Sequence, residues 1–424
     1  MAFMSFGYRV SSGAGSFIQG LGPVPEDFSR VIFAGWTTYV TESRQGQATM
    51  CGESSGAETE LLRLYSLATS NSKDDNAEVD LHSISAGSVR SNMTRKRRRP
   101  VNCYGWDALQ GFLSPEGYVV ALCLNDNTTG TAELYTPRQV YATAMDVASC
   151  GSSTDYCTVV VDRQTGGLYR WTLSDPVPKD FGGETTKFTR VWAGEAHFLA
   201  LDEGGTLYSW GSGRHGQLGN GDLVSKTSPE PVEPLEGIRI VDAACGASFS
   251  VALSDTGDVY TFGLNDHGQL GIGKAEGKQS QEHERCNTAL PQLVDFFEDS
   301  RGNFDQGQGV SLIEVSVVNV ACGHSHTVVL DVEGRVWSCG WGKYGQLGQG
   351  ESSSTSPLSP DLGEVDRQKE KEMALLRSKG SIAVEEDRYF FRPLVKASGG
   401  KHVWSEVCCG RWSTFVWSKG SELE

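Results

Sequence analysis

Three segments of this chain align without a gap: AGEAHFLALDEGGTLYSWGSGRHGQLGNG (193–221), CGASFSVALSDTGDVYTFGLNDHGQLGIG (245–273) and CGHSHTVVLDVEGRVWSCGWGKYGQLGQG (322–350). This repetition restricts the fold more than any other feature, because each copy is one small unit that buries its apolar face only by stacking on its neighbours. The copies begin at 193, 245 and 322, so the spacings are 52 and 77 residues, and 25 residues have been inserted between 272 and 320.

Each copy spells a hairpin. The apolar runs 198–201, 251–253 and 328–330 are short and β-prone, as buried strands are. Four residues past the last leucine of each run stands Gly205, Gly257 or Gly334, in DEGG, SDTG and DVEG. Asp or Ser opens such a bend and glycine tolerates positive φ at its end. The runs 207–210, 259–262 and 336–339 then share an aliphatic, aromatic, polar, bulky order and read as return strands.

Weaker copies extend the series to 103–123, 150–171, 34–52 and 408–417, giving starts near Gly35, Gly105, Gly151, Gly194, Gly246, Gly323 and Gly410. The last copy stops after one strand, and its missing exit half is matched by residues 5–22. The spacing therefore predicts an all-β fold: a single domain over 1–424, a seven-bladed β-propeller closed by pairing of N-terminal and C-terminal strands. Closure removes the sticky edges of an open sheet.

These residues resemble the regulator of chromosome condensation repeat family, whose blades show Gly-x-x-His-(Ser/Thr) and then Trp-Gly-x-(Asn/Asp)-x-x-Gly-Gln-Leu-Gly. The match is specific in the three gapless copies and degenerate elsewhere. SWGSGRHGQLGNG, CGWGKYGQLG and CGRWSTFVW are most similar to its small single-domain members, such as the JmjC-oxygenase-partner type and the fungal α-tubulin suppressor type. The resemblance implies a monomeric ring that binds a regulatory, chromatin-, tubulin- or translation-linked protein. It also implies an alternative, guanine-nucleotide exchange on the small GTPase Ran.

Composition narrows the rest. Gly supplies 51 of 424 residues, above the roughly 7% of an average protein and without a collagen period, so the glycines serve turns. A net charge of −16 argues against a general nucleic-acid surface. Apolar runs are short and the amino terminus lacks a secretory order, so an intracellular protein of the nucleus or cytoplasm, without a membrane partner, is expected. Eleven cysteines without a CxxC pair favour neither a disulfide framework nor a zinc site. The glycosylation sequons at Asn92 and Asn127 are idle in such a chain.

Three insertions interrupt the copies. The first, 53–100, is Ser-, Asn- and charge-rich, shows no sustained period, and ends in Arg95, Lys96, Arg97, Arg98 and Arg99, a candidate import signal or a local contact for nucleic acid or an acidic partner. The second, 274–310, is polar and reads as a loop, with LVDFF at 293–297 expected to pin it to the propeller rather than serve as a short hydrophobic docking patch. The third, 351–390, carries helix formers at 364–379, capped by Gly380.

The candidate chemistry is sparse. The stretch WSCGWGKYGQLG (337–348) contains G-x-G-x-x-G behind a strand, but SSSTSP follows, which cannot start the helix a phosphate fingerprint requires. His324 and His326 would set two imidazoles on one strand face, as a metal site wants. Alignment puts His326 level with His197, Phe249 and Ser413, so the position reads as a structural feature of the repeat. Gln217, Gln269 and Gln346 likewise read as backbone-bonding positions. No catalytic set, cofactor or metal is expected. Recognition is expected from the equivalent exit turns, through Arg214, His215, Asp266, His267, Lys343 and Tyr344. Trp341 and Trp412 are either interface anchors or packing.

Overall fold

The computed structural model describes residues 3–11, 14–20, 28–34, 39–51, 56–69, 102–105, 109–114, 116–124, 135–152, 155–182, 186–273, 287–299, 310–348, 388–393 and 403–418. Among them stand six four-stranded antiparallel sheets, one three-stranded sheet and one two-stranded ribbon, arranged as an all-β propeller around a central channel of about 500 Å³. The repeats recognised in the sequence each supply one sheet. For the second copy its strands are Ile240–Cys245, Phe249–Ser254, Val259–Gly263 and Thr288–Leu293.

The apolar runs are continuous rather than alternating because these strands are covered on both faces. Every residue of Phe249–Ser254 and of His326–Asp331 is buried. Side chains alternate between the two neighbouring sheets. Leu199 and Leu201 pack toward Ile240, Ala252 and Phe262, whereas Phe198 and Ala200 pack back toward Val159 and Val161. Each of the larger side chains among these contributes about 1.5–3 kcal/mol on burial.

The hairpin turns dock one sheet on the next. Gly205, Gly257 and Gly334 have φ of 90°, 90° and 74°, and their carbonyls accept from the amides of Ile240, Val317 and Trp404 at 2.9, 3.0 and 3.1 Å. A Cβ at Gly257 would stand 2.4 Å from Ser316 Oγ. The glycines at these turns thus satisfy both the backbone torsion and the close approach of the following sheet.

The last sheet is assembled from both ends of the chain. Phe3–Ser11 pairs antiparallel with Ser413–Trp417, in the register Ser5 to Phe415, and Ala14–Gly20 pairs outside it. This is the N- to C-terminal pairing expected from the split copy.

Two insertions depart from the sequence expectation. Residues 53–100 show no sustained period, yet Gly56–Thr69 is an α-helix. Leu61, Leu62, Leu64 and Tyr65 are buried among Ile32, Val40, Leu109 and Phe112. The Ser66 hydroxyl accepts from Ala48 N at 2.9 Å, so the helix covers the outer strand Ala48–Cys51 of the three-stranded sheet and shields its edge. Its apolar stripe spans little more than one turn, which is why periodicity missed it. The second insertion, expected to be a polar loop, contributes Thr288–Leu293 as an outer strand, and Phe296–Asp299 pairs with Val310–Ile313. Phe296 is buried against Trp337 and Phe391. The run 95–99 and the segment 364–379 lie outside the described residues.

Candidate functional site

The face that carries the exit turns is built on a repeated steric device. A Cβ on Gly194, Gly246 or Gly323 would fall 2.2, 1.8 or 2.0 Å from a ring carbon of His197, Phe249 or His326. Only hydrogen fits beneath these rings, which accounts for a glycine three residues before each ring. His197 Nε2 meets Ser250 Oγ at 3.0 Å, and that hydroxyl donates to Gln217 O at 2.8 Å. His326 Nε2 meets Thr414 Oγ1 at 3.1 Å, and Thr414 donates to Gln346 O at 2.8 Å. Each hydroxyl proton is already given to a carbonyl, so the imidazole Nε2–H must be the donor. Burial pushes both histidines down to about 3; they are neutral struts between sheets.

The glutamines close the exit turns. Gln217, Gln269 and Gln346 accept through Oε1 from the amides of His215, His267 and Tyr344 at 2.9, 2.9 and 2.8 Å. In the third turn Gly345 N donates to Gly342 O and Gly348 N to Gly345 O, at 2.9 and 3.1 Å. The amides that would cradle a phosphate are engaged inside the turn, and no helix follows within the described residues. Where the other turns have Gly213 and Gly342, the second has Asn265, whose Oδ1 accepts from Leu270 N at 3.0 Å.

Main-chain bonds tie the neighbouring loops to one another. Gly151 N donates to Glu195 O, Glu195 N to Ala247 O, Ala247 N to His324 O, and His324 N to Arg411 O, at 3.0, 3.3, 3.1 and 3.1 Å. The channel beside this relay is polar: Arg190 bonds Asp242 across two sheets at 2.8 Å, and Asp146 accepts from Val191 N at 3.0 Å.

On this frame four of the eight expected recognition residues come together. The His267 ring stacks on Trp341 with centroids 4.7 Å apart and planes 9° apart. Trp341 meets Trp412 edge-on at 4.8 Å and 85°, and Tyr344 lies 5.4 Å from both. Two further residues belong to the cluster that recognition reasoning did not select. His324 packs on Trp412 at 4.7 Å, and the Arg411 guanidinium lies 5.5 Å from the Trp412 ring centre. Burial, then the Arg411 charge, lowers His324 to about 4. Their signal was the alignment itself, since 324 and 411 occupy the same place after the glycine. Lys343 sits half-buried between Trp341 and Tyr344 in sequence, and Asp266 is exposed and accepts from Gln269 Nε2 at 2.9 Å. Arg214, exposed, and His215, half-buried, occupy the corresponding turn of the preceding sheet.

Comparison with known proteins follows the same residues. The regulator of chromosome condensation (RCC1) repeat matches at 204–253, 256–330 and 333–367, and a second pattern of that description at 188–217, 240–269 and 317–346. The chain is similar to RCC1 domain-containing protein 1 of Mus musculus, 36% identical over 174 residues, covering 38% of this chain and 46% of the mouse protein. It is similar to the RCC2 homolog of Danio rerio, 38% identical over 161 residues, covering 37% of this chain and 32% of that protein. The aligned region thus spans less than half the length of either relative. Among solved structures, Prp20p of Saccharomyces cerevisiae superposes over 99% of this chain and 92% of its own, with a TM-score of 0.64 at 17% identity, a likeness of fold.

Proposed function

This chain carries regulator of chromosome condensation repeats folded as a β-propeller, and from that premise we propose that it is a non-catalytic scaffold that binds a regulatory protein through its exit-turn face. The observation that carries this reading is the half-exposed aromatic cluster contributed by three consecutive sheets. Tryptophan, tyrosine and arginine are the residues that most often supply interface energy. The polar residues that repeat around the ring, His197, His326, Gln217, Gln269 and Gln346, are engaged in structural hydrogen bonds, which supports a role without catalysis.

The proposed ring has seven blades, the three-stranded sheet with its covering helix being one of them. Support comes from contacts of inner strands in sequence order and back to the start, including Phe28–Ala34 against Glu406–Gly410, and from Phe28 and Val31 packing on Phe415 and Trp417. The run 95–99 is the proposed import signal; unchanged nuclear signal after its replacement by alanine would discard that role.

Affinity capture from cell extract with the wild-type chain and with Trp341→Ala/Trp412→Ala tests the scaffold. A stoichiometric partner lost in the double variant is expected, and capture of no partner by the wild type would sink the reading. The second reading is nucleotide exchange on Ran, suggested by the repeat and by Prp20p, which is described by its binding to Gsp1p and histones. Exchange needs only a surface that favours the nucleotide-free state. Release of labelled GDP from Ran at catalytic amounts of this protein would promote that reading, and no stimulation would remove it.

A further inference from the structure

We propose that the ring cluster of His267, Trp341, Tyr344 and Trp412 docks a proline-rich segment of the partner, in the polyproline II conformation and flanked by acidic residues; this deepens the scaffold reading and rests on it. The cluster is not a cage for a cation. Its centroids are 4.8 to 5.4 Å apart around the Trp341, Tyr344 and Trp412 triangle, so the rings touch and leave no room for an ammonium between them. His267 covers one face of Trp341, and His324 and Arg411 lie against Trp412, so the half-exposed indoles, nearly perpendicular to each other, present only their remaining ring surface. Such a wedge of tryptophan and tyrosine suits pyrrolidine rings, which fill aromatic-lined grooves.

The polar requirement of the ligand points the same way. A polyproline II backbone has no internal hydrogen bonds, and its prolines present carbonyls without N–H groups, so the receptor must supply donors. Both indoles are half-exposed. Among the described residues neither the Trp341 nor the Trp412 N–H meets an acceptor, and unlike the Trp171 and Trp417 N–H groups, which also lack one but are buried, these two belong to half-exposed side chains. Two donors therefore stand within one half-exposed ring cluster. The turns that hold them are tied down by the glutamine bonds and the main-chain relay, so little ordering accompanies binding.

Charge sets the flanks. Lys343 and Arg411 adjoin the rings and Arg214 is exposed one turn away, with Asp266 the acid of these turns. On a chain of net charge −16 this is a locally cationic strip, which favours acidic over basic residues beside the prolines.

Fluorescence anisotropy with a fluorescein-labelled proline-rich peptide bearing glutamates at both ends tests the site. Saturable binding is expected, weakened about fivefold by Trp341→Phe or Trp412→Phe, which keep a ring and remove one donor. Lysine-flanked prolines should bind more weakly, and a Gly-Ser peptide with the same glutamates should not bind. Circular dichroism melts confirm that each variant is folded. The inference is overturned if folded wild-type protein shows no saturable binding, or binds the Gly-Ser peptide equally, or if neither phenylalanine variant weakens it. If no proline-rich peptide binds but affinity capture still retains a tryptophan-dependent partner, the proline assignment falls and the scaffold stands. If capture is also indifferent to the tryptophans, the face itself was wrongly chosen.

Discussion

His197 and His326 are held neutral at about 3, against an ordinary value of 6.5, by complete burial. Below about pH 6.5 the unfolded chain takes up protons that the folded chain refuses. Stability is therefore full above that value and falls as pH drops toward 3, by up to about 1.4 kcal/mol per pH unit for each histidine. Thermal melts between pH 7.5 and 4.5 should show this slope, and His197→Phe/His326→Phe should flatten it, since Phe249 already fills the same place in the sheet between. Glycines separate into two kinds by the same local reasoning. Gly246→Ala forces a Cβ to within 1.8 Å of the Phe249 ring and should cost about 2–4 kcal/mol. Gly345→Ala meets nothing within 4 Å but has φ of 76°, and should cost only about 1–2 kcal/mol. Denaturant midpoints of the two variants check the ranking.

The strand-turn-strand units transmit these local fits through hydroxyls that reach across. Ser209, Thr261 and Ser338 donate to the carbonyls of Leu218, Leu270 and Leu347 at 2.7, 2.8 and 2.7 Å, fixing each exit turn to its own strand. Thr414 does the same between sheets, and Thr414→Val would strand both Gln346 O and the His326 N–H in the interior. A loss of about 2–4 kcal/mol is expected from chemical denaturation; a loss under about 0.5 kcal/mol would contradict the strut assignment. The hairpins were legible because turn glycines, Leu-ended runs and aromatic returns each have a local cause in this sequence. The helix Gly56–Thr69 was not, because Leu61, Leu62, Leu64 and Tyr65 acquire meaning only against Phe112 and Val40, which are distant in sequence. The ring cluster was half legible: Trp341 and Trp412 were visible as aromatic, but their perpendicular contact depends on two sheets meeting.

Ring closure by Phe3–Ser11 makes the termini mutually dependent. A chain lacking residues 1–22 would leave Ser413–Trp417 with an unpaired edge and should aggregate on light scattering while melting at least several degrees lower. Retention of a monomer with the wild-type melting temperature would contradict the role of that strand. The relay from Gly151 through Glu195, Ala247 and His324 to Arg411 has a different consequence for the molecule. It is made wholly of peptide groups, so Glu, Ala, His and Arg stand at equivalent places without altering the bond that positions them. A side-chain change at these sites leaves that main-chain bond in place, although Ala247 is buried and His324 packs on Trp412. The spacing between neighbouring loops is thus set by the backbone, whichever side chain each loop carries.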